Sequence, residues 1–175
     1  MVLRQGDAGR GSTGFGGPAA VGGAFALTDQ DGHPATEALL RGEPTLVFFG
    51  YTHCPDVCPT TLSDLSAMFR VLGQDAKAQA LFITVDPWRD TPAVLKDYLS
   101  NFDPRIRALT GSPDAVAAVE RAYKVYVKKV PTAGGDYAMD HTALVYLMDK
   151  DGRFVNGFNL SQSPEKAAAD LAASL

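Results

Sequence analysis

The sequence predicts an α/β; thioredoxin-like fold class in outline: a central mixed sheet flanked by helices. Two runs, Thr45–Gly50 and Ala80–Val85, are almost continuously apolar and of strand length, the mark of strands buried on both faces. Between and after them, apolar residues recur at helical intervals, and aspartate-glycine turns near both ends of the chain mark hairpins. With 175 residues, 46% of them hydrophobic and 21% charged, the chain has the length and composition of one globular domain.

Met1–Gly23 holds eight of the 17 glycines and almost no apolar periodicity, so residues 1–22 read as a flexible lead and 23–175 as the folded domain. Phe25–Thr28 followed by Asp29-Gln30-Asp31-Gly32 predicts an N-terminal hairpin, because Asp and Gly supply the turn dihedrals, and a short helix follows from about Thr36. Thr45–Gly50, bounded by Pro44, is the first buried strand and delivers the chain to Cys54. From Cys58 to Leu72, the residues Leu62, Leu65, Met68, Phe69 and Leu72 form one buried helical stripe. Ala80–Val85 is the second strand, Pro92–Phe102 a helix with proline in its first turn, Ile106–Thr110 a third strand and Pro113–Tyr123 another helix. Val125–Val130 and Gly134-Gly135 predict an irregular extended excursion inserted before Met139-Asp140-His141. Ala143–Met148, the turn Asp149–Gly152 and Phe154–Phe158 predict a second hairpin, whose first strand His141 opens, and a last helix begins at Pro164. A βαβ half followed by ββα is thioredoxin-like order.

The net charge of −4 offers no basic face for phosphates, which argues against nucleic acid as a partner. No stretch approaches the ~18 consecutive apolar residues needed to cross a bilayer, and no signal peptide is legible. The turns Asp29–Gly32 and Asp149–Gly152 lack the distal glutamate of an EF-hand loop and read as plain hairpin turns.

The two cysteines lie in Cys54-Pro55-Asp56-Val57-Cys58, too close together to staple a fold, since the entropy removed by a cross-link grows with loop length. They sit at a helix N-terminus, where unsatisfied N–H groups favour the thiolate. Redox chemistry and metal binding both fit this placement. Thioredoxins carry two residues between their cysteines rather than three, and the Pro-x-x-x-Thr-x-x-Cys pattern of peroxiredoxins is absent. A metal site needs a third ligand, and the histidines are His33, His53 and His141. His33 follows an acidic turn and points to solvent, and His53 could ligate only if its loop bent back. His141 precedes a buried strand that can bring it beside the strand-helix junction, with Asp140 placed to orient the ring. Two thiolates and an imidazole suit copper, especially Cu(I); spacing alone leaves zinc open.

Three ordered blocks resemble the Sco/SenC family of copper proteins from about Gly22 to the C-terminal helix: Gly50–Pro59 around the cysteines, Val85–Pro92, and Asp140-His141-Thr142. The resemblance implies a thioredoxin fold in which Cys54, Cys58 and His141 ligate copper as Cu(I), Cu(II) or both. It implies a metallochaperone for the dinuclear centre on subunit II of cytochrome c oxidase, delivering copper, or a thiol-disulfide oxidoreductase reducing the target cysteines, or a sensing module. Exchange with other copper chaperones or thioredoxin-like reductants is implied too. So is a membrane anchor, missing from this chain, holding the domain on the periplasmic side of the bacterial inner membrane or at its mitochondrial equivalent. Thioredoxins place a cis-proline where this chain aligns His141. The one departure within the blocks is Trp88, where a polar or charged residue is expected; it reads as surface packing or a partner contact. Asp86, Arg89 and Asp90 are expected to hold their own loop by local hydrogen bonds.

Overall fold

A computed structural model describes residues 20–54 and 57–175. Most of the expected lead, and the side chains of Val57 and Cys58, lie outside the described residues. Nine strands and four α-helices follow in the order β1 (Ala26–Asp29), β2 (Pro34–Thr36), β3 (Thr45–Gly50), α1 (Val57–Leu72), β4 (Gln79–Thr84), α2 (Pro92–Leu99), β5 (Ile106–Thr110), α3 (Pro113–Ala122), β6 (Val127–Pro131), β7 (Tyr137–His141), β8 (Val145–Met148), β9 (Phe154–Gly157) and α4 (Pro164–Ala172).

The main sheet has the order β2-β1-β5-β4-β3-β8-β9, with β3, β4 and β5 parallel and the outer strands antiparallel. It is a central mixed sheet with helices on both faces, as the periodicity predicts. All six residues of β3 are buried, and their alternation divides the core: Leu46 and Phe48 face α1, α2 and α4, while Val47 and Phe49 face α3. The first layer closes over Phe48 stacked on Phe82, ring centroids 5.0 Å apart. The second layer closes over Tyr123, whose ring meets Phe49 and Tyr146. Val21 packs on this second layer and the Gly22 N–H donates to the Ala122 carbonyl, so the chain is tied down from at least there.

Both aspartate-glycine turns are hairpin turns. Asp29 Oδ1 accepts from the Asp31 and His33 N–H groups and Asp149 Oδ1 from those of Asp151 and Arg153, with Gly32 and Gly152 at positive φ closing each turn. Proline one step after a capping hydroxyl starts three helices: Thr91, Ser112 and Ser163 accept from the N–H groups of Val94, Ala115 and Lys166.

Three boundaries differ from the sequence expectation. Helix α2 stops at Leu99 because the Ser100 hydroxyl turns back onto the Asp97 carbonyl and closes the helix. The excursion after α3 is a regular antiparallel ribbon: β6 pairs with β7 in a separate two-stranded sheet, from Val127 opposite His141 to Pro131 opposite Tyr137. Gly134 and Gly135, both at positive φ, turn the ribbon tip. His141 therefore closes β7 rather than opening the next strand, and β8 begins at Val145, where pairing with Phe48 of β3 starts.

Candidate metal centre

The parallel strands β3 and β4 end side by side, and the segments leaving them are bound into one framework. Val85 N–H donates to the Gly50 carbonyl (2.8 Å), and the Cys54 N–H to the Tyr51 carbonyl (3.2 Å), which curls the chain just before α1. Asp90, fully buried, accepts from the Thr52 N–H (3.1 Å), the Thr52 hydroxyl and the Thr84 hydroxyl (2.6 Å), while its own carbonyl accepts from Thr110 (2.8 Å). A buried carboxylate is tolerable only with such a set of donors. Its consequence is a fixed entry to the cysteine loop. Cys54 is a free, half-buried thiol that touches the second core layer. The backbone of Cys58 lies in the first turn of α1.

The ribbon brings in His141 from the other side. Residues of one strand alternate between faces, so Tyr137, Met139 and His141 look inward and Ala138 and Asp140 outward. Burial follows this alternation: Met139 is buried and Asp140 exposed. The His141 ring stands edge-on to Tyr51, centroids 5.9 Å apart, and shares a small cleft with Phe48, Phe49 and Thr61 of α1. Tyr51 thus links the two sides, its carbonyl holding the Cys54 N–H and its ring meeting His141.

His141 Nδ1 lies 3.0 Å from the Thr142 carbonyl. A carbonyl only accepts, so Nδ1 is the nitrogen that donates, and in the neutral ring Nε2 is the one with a lone pair for a ligand. The ring is oriented by its neighbour's backbone, where the sequence suggests Asp140 for that task; Asp140 instead pairs in register with Lys128 on the outer face.

Asp86, Arg89 and Tyr137 lock the ribbon to the sheet end. Asp86, fully buried, receives the Arg89 Nε–H and the Tyr137 hydroxyl (2.7 Å). Arg89 also reaches Asp136 of the ribbon (3.0 Å), with its guanidinium 3.8 Å from the centre of the Tyr137 ring and 5.9 Å from that of Tyr51. Burial works against the Arg89 charge, but Asp86, Tyr137 and Asp136 outweigh it and raise its pKa. Burial and the bond to Asp86 push the Tyr137 phenol up to about 12. Lys129 also lies over the Tyr137 ring at 4.0 Å and, at 4.7 Å, over that of Trp88, which is still 56% exposed. The bonds of Asp86 and Asp90 thus span distant segments as well as their own loop.

Among the described residues, two groupings bring ligand-type atoms within 4.8 Å of one another, Asp29–Asp31–His33 and His53–Asp86–Asp90. In each, the buried carboxylates are already engaged in the bonds above, and both histidines are exposed.

The SCO1/SenC family pattern matches residues 14–175. The chain belongs to the SCO1/SenC family. A solved structure described as Bradyrhizobium japonicum ScoI with copper bound is 60% identical, with a TM-score of 0.86, over 89% of this chain and 100% of that one. The SCO2-like protein of Rickettsia prowazekii is 40% identical over 83% of this chain and 73% of its own length. Yeast mitochondrial SCO1 is 42% identical over 90% of this chain, which spans only 54% of that protein. A more distant fold relative, 23% identical with a TM-score of 0.70 over 89% of this chain and 94% of that one, is described as BsSco, a member of the Sco family of cytochrome c oxidase assembly proteins. Sco family members therefore include copper-bound and mitochondrial proteins. Among the described residues of this SCO1/SenC chain, no helix is long and apolar enough to cross a membrane.

The residues present fit a copper ion by their chemistry: a free thiol, a second cysteine in the first turn of α1, and an imidazole whose Nδ1 is engaged by a backbone carbonyl, which leaves Nε2 as the nitrogen able to ligate. The sequence reading missed Tyr51, Lys129, Asp136 and Tyr137. A signal for the ribbon was available, since Val127-Lys128-Lys129-Val130 and Tyr137–His141 are short alternating runs either side of Gly134-Gly135.

Proposed function

We propose that this SCO1/SenC chain binds one copper ion through Cys54, Cys58 and His141 Nε2 and passes it on during assembly of the dinuclear copper centre on cytochrome c oxidase subunit II. The observation that carries this reading is His141: its Nδ1 faces the Thr142 carbonyl, and the ring lies against Tyr51 and Thr61, beside the loop and helix that bear the cysteines. Copper, when bound, supplies the cargo and needs no chemistry beyond ligand exchange. Soft, low-coordinate ligation at an open rim favours handover, because an incoming thiolate or imidazole can enter before the old ligands leave. Asp90 and Thr52 hold the cysteine side steady, and the Asp86–Arg89–Tyr137 cluster holds the histidine side. The expected setting is the periplasmic side of the bacterial inner membrane, with an anchor preceding this domain in the full-length protein; other copper chaperones or reductants would load and reset it.

Titration of the metal-free, reduced protein with Cu(I) under anaerobic competition should give one copper per chain. His141→Ala should weaken binding by at least about 100-fold, the scale of losing one ligand group, and His33→Ala should leave it unchanged. Equal affinity in both variants would remove His141 from the site.

The free Cys54 thiol at the entry to α1 also supports a second reading, a thiol-disulfide oxidoreductase. Oxidation of Cys54 and Cys58 to a disulfide would release the two electrons and two protons that reduce a partner's disulfide. A dithiol potential in the thioredoxin range, about −270 mV, with negligible copper affinity would favour this reading over metal delivery.

A further inference from the structure

We propose that Tyr137 is a positioning residue for His141: clamped on Asp86 and Arg89, it seats the β6–β7 ribbon and so sets how much of the metal-free protein holds His141 ready to ligate. This rests on His141 being a copper ligand. A two-stranded ribbon is marginal by itself, so its place on the molecule depends on the contacts it makes with the sheet end. Tyr137 reaches two residues of the sheet end: its hydroxyl donates to Asp86, a carboxylate with no exposed surface, and its ring lies 3.8 Å from the Arg89 guanidinium, while Lys129 of the ribbon approaches the same ring at 4.0 Å. Tyr137 and His141 share the inward face of β7, four residues apart, and Arg89 lies between Tyr137 and Tyr51, the ring against which His141 rests. Cations and rings therefore alternate from exposed Trp88 through Lys129, Tyr137 and Arg89 to Tyr51, whose ring in turn meets that of His141.

Binding that requires the seated form is weakened in proportion to the fraction seated. Tyr137→Leu removes both the hydroxyl and the ring. Tyr137→Phe removes the hydroxyl alone and keeps the ring beside its cations, so it should restore part of what leucine loses. Two measurements test the seat. In the metal-free protein, amide hydrogen exchange at Lys128 and Asp140, paired across the ribbon, should speed up about ten-fold in Tyr137→Leu, with Leu46 and Phe48 of β3 unchanged as evidence that the fold persists. Copper affinity should fall about ten-fold in Tyr137→Leu, less in Tyr137→Phe, and Tyr137→Leu should cost nothing further in a His141→Ala background, because its effect runs through that ring. Equal losses in both backgrounds, or ribbon exchange that Tyr137→Leu leaves unchanged, would overturn the proposal. If His141→Ala itself leaves copper affinity intact, the ligand assignment fails, and the exchange rates still decide whether Tyr137 seats the ribbon.

Discussion

The two sides of the metal centre are built differently. The cysteine side grows from β3, buried along its whole length between two core layers, and its loop is pinned by a buried aspartate. The histidine side is a ribbon whose outward face is solvent and whose β6 strand has no buried residue. It is joined to the sheet end by Tyr137, Asp136 and Met139, and closed at its root by the Thr142–Tyr126 pair of hydrogen bonds. The cysteine side is therefore part of the cooperative core, and the histidine side is a local unit that can open without unfolding the domain. For a protein that must hold an ion and then release it, this places the adjustable ligand on the adjustable element.

Substitutions on each side sharpen or break this contrast. The largest effect is expected in β3: Phe48→Ala should cost about 3–5 kcal/mol in urea denaturation, because it empties a site stacked on Phe82 in the main core. Val130→Ala in the ribbon should cost under about 1 kcal/mol, as for other half-exposed positions. Similar costs at the two positions would refute the division into core and local unit. Next comes Asp90→Ala, which strands the Thr52 N–H and two hydroxyls and should cost about 2–3 kcal/mol while leaving exchange in the ribbon unaltered. Faster ribbon exchange in that variant would mean the two sides are not independent.

The smallest effect concerns the root of the ribbon. Burial pushes the Glu120 carboxyl from 4.5 to about 7, against the weaker opposing pull of Arg121, and its backbone carbonyl accepts from the Val125 N–H where the chain leaves α3. Folding raises this pKa, so the folded state holds the proton more tightly. That contribution to stability is complete below about pH 4.5 and is lost as pH rises through about 7. Glu120→Gln should flatten this part of the profile, so that the Tm difference between pH 5 and pH 8 is smaller than in the parent. Solvent around the partly exposed carboxyl keeps the effect modest. An unchanged profile would show that Glu120 does not titrate in this range.

Local pattern made much of the molecule legible. The unbroken apolar runs of β3 and β4 announced strands with two covered faces, and Pro92, Pro113 and Pro164 announced the starts of α2, α3 and α4. The blocks around Cys54, Asp86–Asp90 and His141 pointed to the same family that the comparisons show. The ribbon carries only a weak strand signal because its alternation is short and half polar, with lysines at two of four positions in Val127–Val130. Asp140 was the nearest acid to His141 in the chain, yet period-two geometry sends it to the opposite face, and a backbone carbonyl takes its place at Nδ1.

By itself the sequence determined the strands and helices of the main sheet, its mixed class, and the residue types able to hold a soft metal ion, because these follow from periodicity, first-turn prolines and donor chemistry within a few residues of each other. Only the tertiary structure decided that Asp90 pins the cysteine loop, that Tyr51 stands between Cys54 and His141, and that Arg89 and Tyr137 seat the ribbon. Apart from the local Tyr51–Cys54 bond, those contacts join residues 38 to 90 positions apart. They exist because three strand ends meet at one edge of the sheet, an arrangement that no local pattern encodes.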